Sequence, residues 1–144
     1  MKRLILLIVI LAAIGFVAIQ FIPVDRTNPP VTREIAWNSP ETRALAQRAC
    51  FDCHSNETVW PFYSYIAPIS LMLAEHVADG RDQLNFSEWD GRNEDFDDIA
   101  EVVTSGKMPL PNYLLLHPEA RLSEAEKQGL LEGLALTYEQ DPPR

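Results

Sequence analysis

The stretch Ala49-Cys50-Phe51-Asp52-Cys53-His54 holds both cysteines of this 144-residue chain and one of its three histidines. Two thiols two residues apart with an imidazole directly behind them are the groups that covalent haem attachment uses. The thiols add across the two porphyrin vinyl groups, one helical turn spans the gap between them, and the next residue brings a nitrogen to the iron. Cys50 and Cys53 are therefore read as the attachment points of a single haem c, and His54 as the proximal iron ligand. Other readings of the same residues fit less well. Structural zinc takes four ligands, normally from two close pairs, and His76 and His117 stand too far apart in sequence to form the second pair. A thioredoxin-like dithiol belongs beside a βαβ pattern, and no strand is evident nearby. A structural disulfide between Cys50 and Cys53 would close too small a loop to restrain much chain.

A six-coordinate iron needs a second axial ligand. Met108 precedes Pro109 in an irregular stretch between two expected helices, whereas a core-filling methionine more naturally sits on an apolar helix face, as Met72 does. Met108 is the favoured distal ligand. His76, on a helix stripe with Ile69 and Leu73, is the alternative, and His117, before Pro118, is read as a loop residue bonding backbone groups. The remaining ring nitrogen of His54 needs an acceptor, for which the carbonyls of Pro61 and Pro68 are candidates. The aromatic run at residues 60–65 suits the face of a macrocycle, and Arg81, Trp89 and Tyr113 are candidates for its propionates.

Helices must position these groups. Ser39 can cap a helix that has Pro40 at its first position and runs straight into Cys50. A second helix is expected from Ile69, with Ile69, Met72, Leu73, His76 and Val77 on its inner face and Gly80 as its stop. A third spans residues 94–105, with Phe96, Ile99, Ala100 and Val103 inward and Gly106 ending it. The fourth opens with a capping box, Ser123 and Glu126, and carries Leu130, Leu131, Leu134 and Tyr138 at helical spacing. No run alternates long enough to read as a sheet, so the expected fold is all-α.

Residues 4–22, LILLIVILAAIGFVAIQFI, contain one polar side chain, Gln20, and are long enough to cross a bilayer. A cleaved signal peptide with a small-residue site near Ala13-Ile14-Gly15 is the rival reading. The apolar run continues through Ile22, which favours an uncleaved anchor. Lys2 and Arg3 on one flank nearly balance Arg26 and Arg33 on the other, and the free amino terminus tips the balance toward a cytoplasmic start with all that follows exported. The expected organisation is an anchor at residues 1–22, a proline-rich linker at 23–38 and a helical haem-binding domain at 39–144. Ten basic side chains beyond the anchor face twenty-one acidic ones, an excess of eleven negative charges that argues against nucleic acid as a partner. The acidic cluster at residues 88–101 is read as a solvated helix face.

CFDCHS, WPFYSYIAPIS, HVADGRDQLNFSEW and GKMPLPNYLLLHPEARLSEAE together resemble the bacterial haem-binding domain family, small membrane-anchored proteins related to cytochrome c. FIPVDRTNPPV, just after the apolar run, is similar to that family as well. The resemblance implies a cytochrome c-like helical domain with one covalent haem, Cys50, Cys53 and His54 in the attachment and proximal roles, and Met108 as sixth ligand. The expected function is single-electron transfer with other redox proteins of the cell envelope, by a carrier rather than an enzyme. The expected location is the periplasmic face of the bacterial inner membrane. A haem-based sensor or small-ligand binder is the first alternative, and a haem-free thiol-disulfide oxidoreductase the second.

Overall fold

Lys2–Ile19 forms α1, eighteen residues of which none is buried. At 1.5 Å per residue it is about 27 Å long, close to the hydrocarbon thickness of a bilayer. Length and composition thus allow α1 to cross a membrane. The computed structural model describes residues 1–143 and is all-helical, with seven α-helices and two short 3-10 turns and no strand among the described residues. The chain divides into two compact units, Met1–Thr27 with Trp60–His76, and Asn28–Val59 with everything from Val77 onward.

The first unit is α1, the segment after it, the 3-10 turn Phe62–Tyr65 and the opening of α4 (Ile69–Gln83). Gln20, the polar exception in the apolar run, lies just past the last residue of α1. Its side-chain amide pairs with the backbone of Ala67, donating to the carbonyl at 3.1 Å and accepting from the N–H at 2.9 Å. Arg26 donates to the Ser64 carbonyl at 3.2 Å and stands 4.6 Å from the centre of the Tyr65 ring. Two expectations for α4 fail. Ile69 and Met72 are exposed rather than inward, and the helix continues through Gly80 to Gln83.

The second unit is built on three helices. In α2 (Pro40–Ala49) the Ser39 hydroxyl accepts from the Thr42 N–H at 3.1 Å, as its position before Pro40 requires. α5 (Phe96–Thr104) buries Ile99 and Val103 and ends at Gly106, whose φ of 74° is the left-handed stop that glycine adopts without a Cβ penalty. α7 (Glu124–Gln140) opens with the reciprocal Ser123 and Glu126 capping box and buries Leu130, Leu134 and Tyr138. α7 packs against both α2 and α5. At the first of these crossings a Cβ on Gly133 would fall inside the Thr42 side chain, so the two backbones meet only because that position is glycine.

The segment expected to be a linker belongs in part to this core. Ile35 is 2% exposed, and Trp37 packs on Phe51 and Phe86 with ring centroids 6.0 and 5.1 Å away. Trp89 donates its backbone N–H to the Arg33 carbonyl, and the Arg33 guanidinium pairs with Asp141. Five apolar residues, Val24, Val31, Ile35, Ala36 and Trp37, scattered without period among prolines and polar residues were too weak a pattern to reveal this.

Candidate haem site

The end of α2 carries the chain directly into the chemistry. The Cys50 N–H still donates to Ala46 of α2, and the following turn, α3 (Phe51–His54), closes with the His54 N–H on the Cys50 carbonyl at 2.9 Å. Cys50, Cys53 and His54 therefore share one helical turn. Phe51, 2% exposed, fastens that turn to the core by stacking on Phe86 at 5.7 Å. Asp52 faces the other way. Its carboxylate accepts from the Val59 N–H at 3.0 Å and from the Tyr113 hydroxyl at 2.7 Å.

His54 is oriented by α4. Its Nδ1 lies 2.9 Å from the Gly80 carbonyl oxygen and 3.1 Å from that of Leu84. Both partners can only accept, so Nδ1 must carry the proton and Nε2 presents its lone pair. Burial lowers the His54 pKa and keeps the ring neutral, while its two backbone hydrogen bonds pull the other way. Pro61 and Pro68, the acceptors expected from sequence, are replaced by Gly80 and Leu84.

Gly80 is what lets the helix come so close. A Cβ there would stand 2.6 Å from the Cys53 carbonyl oxygen, well inside contact distance. Read from sequence as a helix stop, Gly80 is instead the point where α4 rests on the Cys50–His54 turn.

The loop after His54 is locked in turn. Arg81 donates to the Ser55 carbonyl at 2.8 Å and to Asn28 and Thr58 at 2.9 Å each. Asn85 donates to the Asn56 side chain at 3.0 Å, and the Phe86 N–H donates to the His54 carbonyl at 2.9 Å. Trp89, expected near a propionate, is fully buried, with its indole N–H on the Asp141 carbonyl at 2.9 Å.

Cys50 and Cys53 are free thiols. Burial pushes Cys50 up from its ordinary 9.0 to about 12. Cys53 is pushed to about 11, again mainly by burial, with Asp52 adding to the rise and Arg81 opposing it. A reactive redox dithiol needs the opposite, a thiolate stabilised at low pKa.

Met108 follows the Gly106 turn, half-buried, with its backbone N–H on the Val102 carbonyl at 3.0 Å. It shares the second unit with Cys50, Cys53 and His54, and Tyr113, five residues further on, is tied to Asp52 between the two cysteines. His76 lies on α4 in the first unit and is half-buried. His117 stacks on Tyr113 at 4.1 Å and has Nδ1 3.1 Å from a Glu119 carboxylate oxygen, while its backbone N–H donates to the Tyr113 carbonyl at 3.0 Å.

The donor set fits a porphyrin-held iron: one neutral imidazole with Nε2 open, fixed from behind by two carbonyls, beside two protonated thiols on the same turn. Among the described residues no group of three or more His, Cys, Asp or Glu side chains is arranged to hold a metal ion. The sequence model of a family described as a haem-binding domain matches residues 14–135, most of the chain.

The chain belongs to that family. Haem binding is thus its shared property, and the match runs from within α1 to within α7. No match is found among curated proteins or among solved structures. Within this haem-binding domain, three contributions were not visible in the sequence: the Gly80 and Leu84 carbonyls behind His54, the Asn56–Asn85 pair, and the Asp52–Tyr113 bond. The one available signal was Gly80 within an otherwise helix-favouring run.

Proposed function

We propose that the chain is a c-type cytochrome, anchored by α1, that carries single electrons on the periplasmic side of the bacterial inner membrane. In this reading Cys50 and Cys53 each add S–H across a vinyl group of one haem, the sulfur bonding one carbon and the hydrogen the other. His54 Nε2 takes the proximal iron position. The haem, when bound, supplies a one-electron ferric/ferrous couple.

The observation that carries the reading is the His54 ring, with Nδ1 held by two carbonyls and Nε2 left as the donor, one residue past a protonated thiol. Hydrogen bonding at Nδ1 fixes the ring plane and makes Nε2 a better electron donor. Met108 is favoured over His76 as distal ligand because the Tyr113–Asp52 bond ties its segment to the attachment turn. Thioether ligation would favour the ferrous state. The chain acts as a carrier rather than a catalyst, its partners being other redox proteins of the envelope, and its acidic surface suits basic ones.

The test is acid extraction followed by the absorption spectrum of the reduced pyridine adduct, on protein made in a host able to attach haem. The covalent reading expects the chromophore to stay with the polypeptide; haem that extracts freely overturns it. Carbon monoxide then separates carrier from sensor: an unchanged ferrous spectrum supports two strong axial ligands, and prompt binding supports the sensor.

A further inference from the structure

The first unit exposes several large apolar side chains between residues 62 and 72. Phe62 is 79% exposed, Tyr65 62%, Ile66 43%, Ile69 42% and Met72 45%. Ile69 and Met72 lie about one turn apart on α4, and Phe62, Tyr65 and Ile66 come just before it in the 3-10 turn and its extended exit, so all five fall in one short stripe of sequence. Such a stripe marks a surface that contacts something apolar.

Its place in the chain says what. The stripe is clasped to the end of α1, where the Gln20 amide grips both backbone groups of Ala67 and Arg26 holds the Ser64 carbonyl and the Tyr65 ring. A spanning helix leaves the hydrocarbon at its last residues, so a segment fastened to Gln20 lies at the level of the lipid headgroups. Aromatic and long aliphatic side chains with a nearby arginine are the composition that this layer favours.

We propose that residues 62–72 are a second membrane contact, with Phe62, Tyr65, Ile69 and Met72 entering the boundary between headgroups and acyl chains of the leaflet from which α1 emerges. The proposal rests on the reading of α1 as a retained anchor. It gives the exposed face of α4 a lipid partner and holds the first unit against the bilayer surface instead of at the end of a free tether.

The experiment uses the full haem-loaded chain in vesicles of phosphatidylcholine and phosphatidylglycerol containing a phospholipid with a diazirine near the top of one acyl chain. After illumination, adducts are mapped by peptide mass spectrometry. The expected result is adducts on α1 and on residues 62–72. Adducts confined to α1 overturn the proposal while leaving the anchor intact, and adducts on neither overturn the anchor reading as well. Combining Ile69→Ser with Met72→Ser, both exposed and outside the aromatic run, should lower adduct yield on residues 62–72 by about tenfold, leaving that on α1 and the haem spectrum unchanged. A shifted haem spectrum with undiminished lipid adducts would assign these side chains to the haem site and end the proposal.

Discussion

Gly80→Ala is the sharpest probe of how the site is held. The added methyl would sit 2.6 Å from the Cys53 carbonyl oxygen and 3.2 Å from the Cys53 carbonyl carbon and Cβ. Carbon and oxygen approach to about 3.3 Å in ordinary weak contacts, so α4 must withdraw by roughly 0.7 Å. The His54 Nδ1 contacts, now 2.9 and 3.1 Å, would stretch past the limit of a useful hydrogen bond. Overpacking costs about 1–3 kcal/mol and the lost bond to the ring about 1 kcal/mol more, while the higher helix propensity of alanine within α4 returns up to about 1 kcal/mol, so a net loss of about 1–3 kcal/mol is expected. The control is Gly129→Ala, where the nearest atom to the new methyl is Leu45 Cδ1 at 3.9 Å and the higher helix propensity of alanine should add up to about 1 kcal/mol. Urea unfolding of the haem-loaded protein reads the stability. Voltammetry reads the site, because an imidazole without its Nδ1 partner is a weaker donor and the potential should rise. If Gly80→Ala matches Gly129→Ala in midpoint and leaves the potential where it was, the contact between α4 and the Cys50–His54 turn is not what orients His54.

Tyr113→Phe removes the hydroxyl bonded to Asp52 and should cost about 1.5 kcal/mol. It should also loosen the segment after Met108, seen as a weaker near-infrared iron–thioether band and faster carbon monoxide binding; an unaltered band would dissociate Tyr113 from the distal side. Gly133→Ala drives a methyl into Thr42 at the crossing of α2 and α7 and should cost about 3 kcal/mol or prevent folding, read by circular dichroism melting. The pKa of Glu126 is depressed from 4.5 to about 2, first by the Ser123 backbone N–H and then by Arg48 and the Ser123 hydroxyl. A depressed acid stabilises the fold above its unfolded pKa, and that contribution fades as pH falls from 4.5 toward 2. Glu126→Gln should thus be less stable than the parent at pH 7 and converge with it near pH 2, and a stability difference that does not change with pH would contradict this.

Helix caps and stripes were legible because their signals are local. Ser39 before Pro40, the Ser123 and Glu126 box and the Gly106 stop each act within four residues, and each sits where sequence places it. The long-range contacts were not legible for the matching reason. Nothing near residue 80 announces that its backbone will meet Cys53, and a glycine late in a helix looks the same whether it ends the helix or admits a neighbour. Ile35 and Trp37 were hidden among prolines and polar residues that read as spacer. Ile69 and Met72 carried the correct helical period, but period alone does not distinguish a face turned to the core from one turned elsewhere. The cysteine and histidine spacing pointed to haem without help from the fold, because residues this close in sequence share one helical turn wherever the turn is packed.

The central claim is that Cys50 and Cys53 bond one haem and His54 ligates its iron. The most direct measurement is mass spectrometry of the denatured protein from its native membrane, intact and after digestion. The account predicts the polypeptide mass plus that of one haem, with the increment confined to the peptide containing Cys50 and Cys53. An unmodified polypeptide, or an increment carried elsewhere in the chain, would contradict it.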